Sequence, residues 1–366
     1  MFDEWYITMN NFLTTSLQKA FKNSDDKWII RRRKINTSCI FDILTKSCVS
    51  TRGIRHVLQL NNEDISSPAI HKARKRLPIG IFKEINNYIQ RGPHEPRIFA
   101  VDGSKVHVHP SFLKKGYVSR TNGKGSRKAK RPLVMLSSMV DVKTKTCVDF
   151  EITKHFNERT SAINMMKSIR PKDTMVFDRG YYSSNMLNET HNKEAFGVWR
   201  LKINAFKGVR RFFGGKKDGS FAIVNGVPVR ILRYFIDSKR YVCLTNNLNL
   251  SVLNVKDIYA SRWRVEESFK RLKSNLKLET SHAIEPELYK QEIEARILSD
   301  TISMKLKDGS VNTETYIMIL DTKFRSLISD IRLFTENIFK KKRVYCVTTS
   351  SSHGQKFEKK SIVSRR

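Results

Sequence analysis

The chain has 366 residues, with 69 lysines and arginines against 35 aspartates and glutamates, and therefore a formal net charge of +34. So many positive side chains repel one another in a compact protein unless a polyanion lies against them. Nucleic acid is therefore the expected partner. A ribosome-bound or membrane-surface protein can be equally basic, and charge alone leaves those alternatives open. No apolar run approaches the ~18 residues that span a bilayer, so no membrane anchor is predicted. The N-terminus carries the acidic residues Asp3 and Glu4 and not a basic stretch before an apolar one, so no secretory signal is predicted.

The five cysteines are odd in number, scattered along the chain and never at Cys-x-x-Cys spacing. This usage fits a reducing compartment and argues against a zinc site. The length of the chain leaves room for two or three folding units. We therefore expect a multi-part protein that works on nucleic acid without structural zinc.

Residues 1–92 are predicted to form a helical region that binds the DNA end. A helix over residues 51–60 is followed by the turn NNEDISS and by a short basic helix, which Ser67 caps and Pro68 opens. Pro78 marks the end of this helix. The outline is that of a helix-turn-helix unit, although a basic surface helix explains the same residues equally well. The DNA contacts predicted here are the basic side chains Arg74, Lys75 and Arg76.

A linker at residues 91–96 precedes a region of alternating strands and helices. In chain order the segments are strands RIFAVDGSKVHVH, PLVMLSSMVDV and CVDFEITKH, helix ERTSAINMMKSI, strand TMVF, helix SSNMLNETHNKE and strand FGVWRLKI. This order predicts a mixed α/β sheet over residues 93–203. Four further short segments, RRFFGG, SFAIV, VPVRILRYFI and RYVCLT, predict a β-strand insertion over residues 204–250.

The last third of the chain is predicted to be mainly helical. One helix within residues 251–280 completes the α/β domain, and residues 281–340 form a C-terminal helical region. Residues 341–366 have the composition of a basic, disordered tail. The basic run at 340–343 is a candidate signal for nuclear entry in a eukaryotic or viral protein; a bacterial protein of this kind is expected in the cytoplasm, at the nucleoid.

Two aspartates directly follow short apolar runs. Asp102 follows IFAV and Asp178 follows TMVF, and each run is typical of a buried strand. Ligands of an open α/β sheet bind where strands leave the core, so the two carboxylates are expected to meet there. Asp-Gly and Asp-Arg-Gly are also ordinary turn sequences, and either aspartate taken alone is explained by a turn.

The segment IYASRWRVEESFKRLKSNL places a carboxylate between basic groups on one predicted helix. Tyr259, Arg262, Glu266 and Lys273 are spaced by three, four and seven residues, so at ~100° per residue they lie within a ~60° sector. An apolar stripe ~80° away is predicted to pack on the sheet. A salt-bridged, solvated helix face has the same pattern. The members of the stripe are Ile258, Val265, Phe269, Leu272 and Leu276.

The same four polar residues match a family signature. Tyr-x2-Arg-x3-Glu-x6-Lys is the signature of the insertion sequence 4 family of DDE transposases, which this chain resembles over roughly residues 70 to 300. Further similarity lies in VDGS around Asp102, DRGY from Asp178, VWRLK at 198–202 and ARKRLP at 73–78. The resemblance implies a ribonuclease H-like fold with helical N-terminal and C-terminal regions.

The resemblance also implies an activity, cut-and-paste DNA transposition. The catalytic residues that the resemblance implies are Asp102, Asp178 and Glu266. They are expected to hold two Mg²⁺ or Mn²⁺ ions ~3.5–4 Å apart for hydrolysis followed by strand transfer. The implied partners are double-stranded DNA, both terminal inverted repeats and target, and a second copy of the chain. A domesticated or inactive transposase-derived DNA-binding protein and a stand-alone metal-dependent nuclease are the alternatives.

Four residues of the helix and its neighbourhood are expected to contact DNA. Arg262 and Lys273 would bind phosphates, and Tyr259 would donate its hydroxyl to one. Trp263 is expected either to stack on a flipped base or to pack beside Phe269. No second base-holding aromatic is assigned, because Trp199 lies on a predicted strand, and this leaves a hairpin pathway of excision open.

The segment at residues 114–131 contains eight basic residues and no acidic one. It is predicted to order on DNA phosphates, and a solvated charged loop is the alternative. Its predicted DNA contacts are Lys114, Lys115, Arg127, Lys128, Lys130 and Arg131.

Overall fold

The computed structural model describes residues 53–60, 65–77, 79–90, 95–118, 131–281 and 283–306, together with residues 35, 40, 43, 44, 47 and 48. Its α-helices are α1 (Gly53–Leu60), α2 (Ser67–Arg74), α3 (Ile81–Ile89), α4 (Glu158–Met165), α5 (Ser184–Asn192), α6 (Lys207–Gly214), α7 (Val252–Ala260), α8 (Trp263–Ser274) and α9 (Pro286–Leu306). Its strands are β1 (Ile98–His107), β2 (Leu133–Asp141), β3 (Cys147–Thr153), β4 (Thr174–Phe177), β5 (Phe196–Arg200), β6 (Gly219–Val224), β7 (Val227–Ile236) and β8 (Lys239–Thr245).

All eight strands belong to one mixed sheet, in the order β3-β2-β1-β4-β5-β8-β7-β6. The first three strands form an antiparallel meander, and β4 and β5 run parallel to β1. Strand β8 pairs antiparallel with β5, so β6, β7 and β8 extend this sheet from within the predicted insertion at 204–250. The predicted mixed α/β sheet is therefore confirmed.

The first segment of the predicted insertion, RRFFGG, is not a strand. It belongs to helix α6, whose apolar side chains lie three and four residues apart at Val209, Phe212 and Phe213 and pack against the sheet. A helix places residues at this spacing on one face, whereas a strand would place two adjacent phenylalanines on opposite faces. The other three segments form β6, β7 and β8 as predicted.

Two tight turns connect the last three strands. Asn225 and Gly226 join β6 to β7, and Asp237 and Ser238 join β7 to β8, all four with positive φ angles between 46° and 79°. Two-residue turns with φ > 0 at both positions match the twist of antiparallel strands. The register of this part of the sheet is thereby fixed by the turns.

Helices cover both faces of the sheet. On one face α3, α8 and α9 pack against the first three strands, and α7 packs against β4, β5 and β7. On the other face lie α4, α5 and α6. Because side chains alternate along a strand, Ala100 of β1 and Val176 of β4 face the side of α7 and α8, while Val101 and Phe177 face the side of α4.

The single helix predicted within 251–280 is two helices, α7 and α8. At their junction the backbone amides of Arg262 and Val265 donate to carbonyls three residues earlier, of Tyr259 and Arg262, at 3.1 and 3.2 Å. Such bonds tighten the chain into a 3₁₀-like turn, which the helical period of the sequence does not reveal. The predicted apolar stripe is buried at Val265, Phe269, Leu272 and Leu276 and half-buried at Ile258.

The other predicted helices that fall among the described residues are present in the structure, and only their ends differ from the predicted ones. Helix α2 is capped one residue earlier than predicted, since the hydroxyl of Ser66 accepts from the amide of Ala69. Helix α9 confirms the first part of the C-terminal helical region. The helix predicted at 313–339, the tail at 341–366 and most of residues 1–52 lie outside the described residues. No helix in the described ranges is long and apolar enough to cross a membrane.

Gly197 on β5 makes room for the largest buried side chain of the sheet. A Cβ at this position would overlap the indole of Trp199, which is fully buried and stacks on Phe177 at 5.5 Å between ring centroids. We expect Gly197→Ala to lower the free energy of unfolding by about 1–3 kcal/mol, as overpacked cores do. Gly214→Ala is the control, because a Cβ there meets open space. Equal denaturation midpoints for the two variants would contradict this account.

Candidate active site

The register of two parallel strands brings Asp102 and Asp178 side by side. The last paired residues of β1 and β4 are Val101 and Phe177, and each aspartate is the next residue along its strand. Both carboxylates fall on the side of Ala100 and Val176, where α7 and α8 pack. Strand β1 continues past Asp102 beside β2 to His107, in agreement with the predicted strand RIFAVDGSKVHVH.

The junction of α7 and α8 lies directly over the two aspartates. The hydroxyl of Tyr259 donates to Oδ1 of Asp178 at 3.1 Å. The guanidinium of Arg262 donates through Nη1 to Oδ2 of Asp102 at 3.2 Å and through Nη2 to Oε1 of Glu266. Tyr259 and Arg262 therefore connect all three predicted catalytic carboxylates, Glu266 being in the first turn of α8.

Burial and charge together act on the site carboxylates. Burial raises the pKa of Asp102, the amide of Gly103 and the guanidinium of Arg262 oppose this shift, and the charges of Asp178 and Glu266 reinforce it. Burial also raises the pKa of Tyr259, and the charge of Asp178 adds to that effect. A cation placed among these groups would relieve the repulsion between carboxylates. In the structure that cation is Arg262.

The donor set fits a divalent metal ion by its chemistry. Aspartate and glutamate oxygens are the hard ligands that Mg²⁺ prefers, and Asp102 and Asp178 adjoin on neighbouring strands. Within the described ranges, however, no three acidic, histidine or cysteine side chains are already close enough together to hold a metal. The guanidinium of Arg262 lies between Asp102 and Glu266 and pairs with both carboxylates.

Lys273 and Trp263 lie apart from the carboxylates. The ammonium of Lys273 donates to the backbone carbonyl of Lys105 at 3.3 Å and lies 3.9 Å from Glu279. Trp263 is 59% exposed, so its predicted alternative role in core packing is wrong. Trp199 is buried, which agrees with its assignment to a strand.

The segment at 114–131 is described at its two ends. Lys114 and Lys115 end a short 3₁₀ helix and are exposed, as is Arg131 before β2. The ammonium of Lys115 donates to the carbonyl of Ile284 at 3.2 Å. The predicted contacts Arg127, Lys128 and Lys130 lie outside the described residues.

Arg74 is buried and cannot serve as the predicted DNA contact. Its guanidinium pairs with Glu292 on α9 at 2.9 Å and donates to the carbonyl of Leu288 at 2.8 Å. The side chain thereby joins α2 to α9. Its neighbours Lys75 and Arg76 remain at the surface, Lys75 in an exposed ion pair with Glu285.

Sequence reasoning missed two residues at the start of α4. Arg159 donates to the carbonyl of Gly180, in the turn after Asp178, at 2.8 Å. Glu158 lies against Gly103, where a Cβ would come within 2.9 Å of its Oε1. Asn157 caps α4 by accepting from the amide of Thr160. The start of this helix is visible in the sequence, but its position beside Asp102 depends on the packing of α4 on the sheet.

Comparison with known proteins finds similarity to transposases. The family model described as a transposase DDE domain matches residues 93–299. Among solved structures, a cryo-EM structure of the piggyBac transposase synaptic complex with hairpin DNA is similar in fold, with a TM-score of 0.50 and 11% identity over 97% of this chain and 87% of that chain. No curated protein matches the sequence.

Because the family model covers more than half of the chain, including both aspartates and Glu266, the chain belongs to the transposase DDE domain family. It is a DNA transposase of the DDE type, a DNA-cleaving enzyme whose family generally uses divalent metal ions. The resemblance to DDE transposases inferred from the sequence is confirmed at this level.

Proposed function

We propose that the chain is a cut-and-paste transposase of the insertion sequence 4 type, with a ribonuclease H-like fold and Asp102, Asp178 and Glu266 as its catalytic residues. The observation that carries this proposal is the junction of α7 and α8. There Tyr259 and Arg262 bond to the three carboxylates. This geometry explains why the spacing of Tyr259, Arg262 and Glu266 matters even though these residues lie on two helices and the junction between them.

The three carboxylates would hold two Mg²⁺ or Mn²⁺ ions. When bound, such ions activate water or a 3′-hydroxyl and stabilise the leaving oxygen of a phosphodiester. The bonds of Arg262 to Asp102 and Glu266 must open to make these oxygens available. The released guanidinium can then bind a phosphate through two parallel hydrogen bonds. Tyr259 keeps the side chain of Asp178 oriented by its hydroxyl bond.

Exposed groups around this site would hold the DNA. Trp263 adjoins Arg262 in sequence and is exposed, as stacking on a base requires. Lys273 lies two turns of α8 beyond Glu266. The other proposed phosphate contacts are Lys75, Arg76, Lys114, Lys115 and Arg131 at the surface, with Arg127, Lys128 and Lys130 from the same basic segment. The substrate would be the terminal inverted repeats, held in a homodimer that joins two ends to target DNA.

Cleavage by the purified protein tests this function. The substrate is DNA that carries the inverted repeats flanking the gene, and a scrambled repeat is its control. We expect strand cleavage at the repeat with Mg²⁺ or Mn²⁺, and removal of the ions by EDTA should stop cleavage while leaving a DNA complex detectable by gel shift. Cleavage that persists in EDTA would rule out the metal mechanism.

A further inference from the structure

Glu158 is a fourth carboxylate at the edge of the site. It is the first residue of α4, on the opposite face of the sheet from α7 and α8. In the part of the chain that the structure describes, no lysine or arginine forms an ion pair with it. Burial and the charge of Asp102 raise the pKa of Glu158, and the charge of Lys105 opposes that rise. The half-buried carboxylate is therefore held near the aspartates without a salt bridge to neutralise it.

Close packing fixes Glu158 against the backbone next to Asp102. A Cβ on Gly103 would lie 2.9 Å from Cγ and 2.9 Å from Oε1 of Glu158, and 3.0 Å from the sulfur of Met135. The amide of Gly103 also donates to Oδ1 of Asp102 at 2.8 Å. The absence of a side chain at 103 leaves the space that Glu158 fills, and two carboxylates flank one backbone unit.

A buried hydroxyl points into the same space. Tyr181 is 1% exposed, and its hydroxyl forms no hydrogen bond of normal geometry among the described residues. It nevertheless lies close enough to the Glu158 carboxylate to oppose the rise in the pKa of that group. Burial raises the pKa of this hydroxyl, and the next largest influences are the charges of Glu158, Asp102 and Asp178. A buried hydroxyl without a well-formed hydrogen bond is costly unless a further ligand completes it. A water molecule bound to a cation would do so.

We propose that Glu158 is a further ligand of the divalent cations, binding on the side of Asp102 opposite Glu266. The inference rests on the proposed function, since it adds a fourth oxygen donor to the same site. The observations that carry it are the contact of Glu158 with Gly103 and the buried hydroxyl of Tyr181 beside Glu158, which has no well-formed hydrogen bond. A carboxylate is the kind of hard oxygen donor that such cations accept in place of one of their water ligands.

Titration of the DNA-free protein with Mn²⁺, followed by calorimetry, tests the proposal without an activity assay. We expect Glu158→Gln to weaken binding at least tenfold or to remove one ion from the stoichiometry. Glu287→Gln, which removes the same charge from exposed α9, should bind like the wild type. Binding by Glu158→Gln at wild-type affinity and stoichiometry would overturn the assignment of Glu158.

Two further variants separate the possible failures. Glu266→Gln in the same titration reports on the proposed function: if it loses Mn²⁺ binding while Glu158→Gln does not, only the role of Glu158 falls. If neither variant changes binding, the metal site itself is wrong. Should Glu158→Gln fail to fold in thermal unfolding, Glu158→Asp keeps the charge and is expected to bind Mn²⁺ more weakly than the wild type; unchanged binding would overturn the proposal.

Discussion

Glu266→Gln is expected to slow strand cleavage by about a thousandfold or more and to leave DNA affinity within about twofold. The substitution keeps the size of the side chain and removes one charged oxygen donor from the site. Metal ions contribute several kcal/mol to the stabilisation of a phosphoryl transition state, and ~4 kcal/mol corresponds to about a thousandfold in rate. Single-turnover cleavage of terminal-repeat DNA in Mg²⁺ measures the first quantity, and fluorescence anisotropy measures the second.

The adjacent residue supplies a matched control. Glu267 is also on α8, but it pairs with Arg264 at 2.9 Å and does not contact the aspartates. Glu267→Gln should therefore cleave at nearly the wild-type rate. If both variants lose cleavage equally, damage to α8 and not the loss of a metal ligand explains the result. Wild-type cleavage by Glu266→Gln would remove Glu266 from the catalytic set.

The two aspartates show what local sequence can predict about the site. Each follows an apolar run that forms a buried strand, and parallel pairing of those runs places both carboxylates at one edge. Glu158 could not be found in this way, because nothing near it in sequence indicates contact with Gly103. Such a contact depends on how α4 packs on the sheet.

Charged residues were the least predictable part of the chain. Arg74 belongs to a basic helix that suggested a DNA-binding surface. In the fold it is buried and pairs with Glu292, which lies 218 residues later in the chain. Similarly, a helical period continues through the junction of α7 and α8, so the sequence predicted one uninterrupted helix. At the tightened turn Tyr259 bonds to Asp178 and Arg262 bonds to Asp102. These contacts between distant parts of the chain are not visible in the helical period.

The sheet itself was predicted more reliably than its extent. Strands β1 to β5 follow apolar or alternating runs whose pattern is visible in the sequence. That β8 would pair with β5 and extend the same sheet depends on a long-range contact between Trp199 and Leu244. The short segment at α6 was ambiguous because six residues are too few to distinguish a helical from a strand period.

Arg262→Ala is expected to change metal binding and cleavage in opposite directions. In the structure the guanidinium pairs with Asp102 and Glu266, and its side chain is only 16% exposed. A metal ion must displace bonds that contribute about 1.5–3 kcal/mol each, so their removal should tighten Mn²⁺ binding by about tenfold or more. Cleavage should slow by about a hundredfold to a thousandfold, because no positioned guanidinium remains to stabilise charge on the phosphate.

Arg264→Ala is the matched control, since Arg264 pairs with Glu267 on the exposed side of α8. It should leave both quantities close to their wild-type values. Calorimetric titration with Mn²⁺ and single-turnover cleavage measure the two effects on the same preparations. Weaker Mn²⁺ binding in Arg262→Ala would mean that Arg262 orients the carboxylates for the metal and does not compete with it. Tighter binding with slower cleavage would establish that one guanidinium first neutralises Asp102 and Glu266 and then transfers to the DNA, which couples metal binding to phosphate recognition.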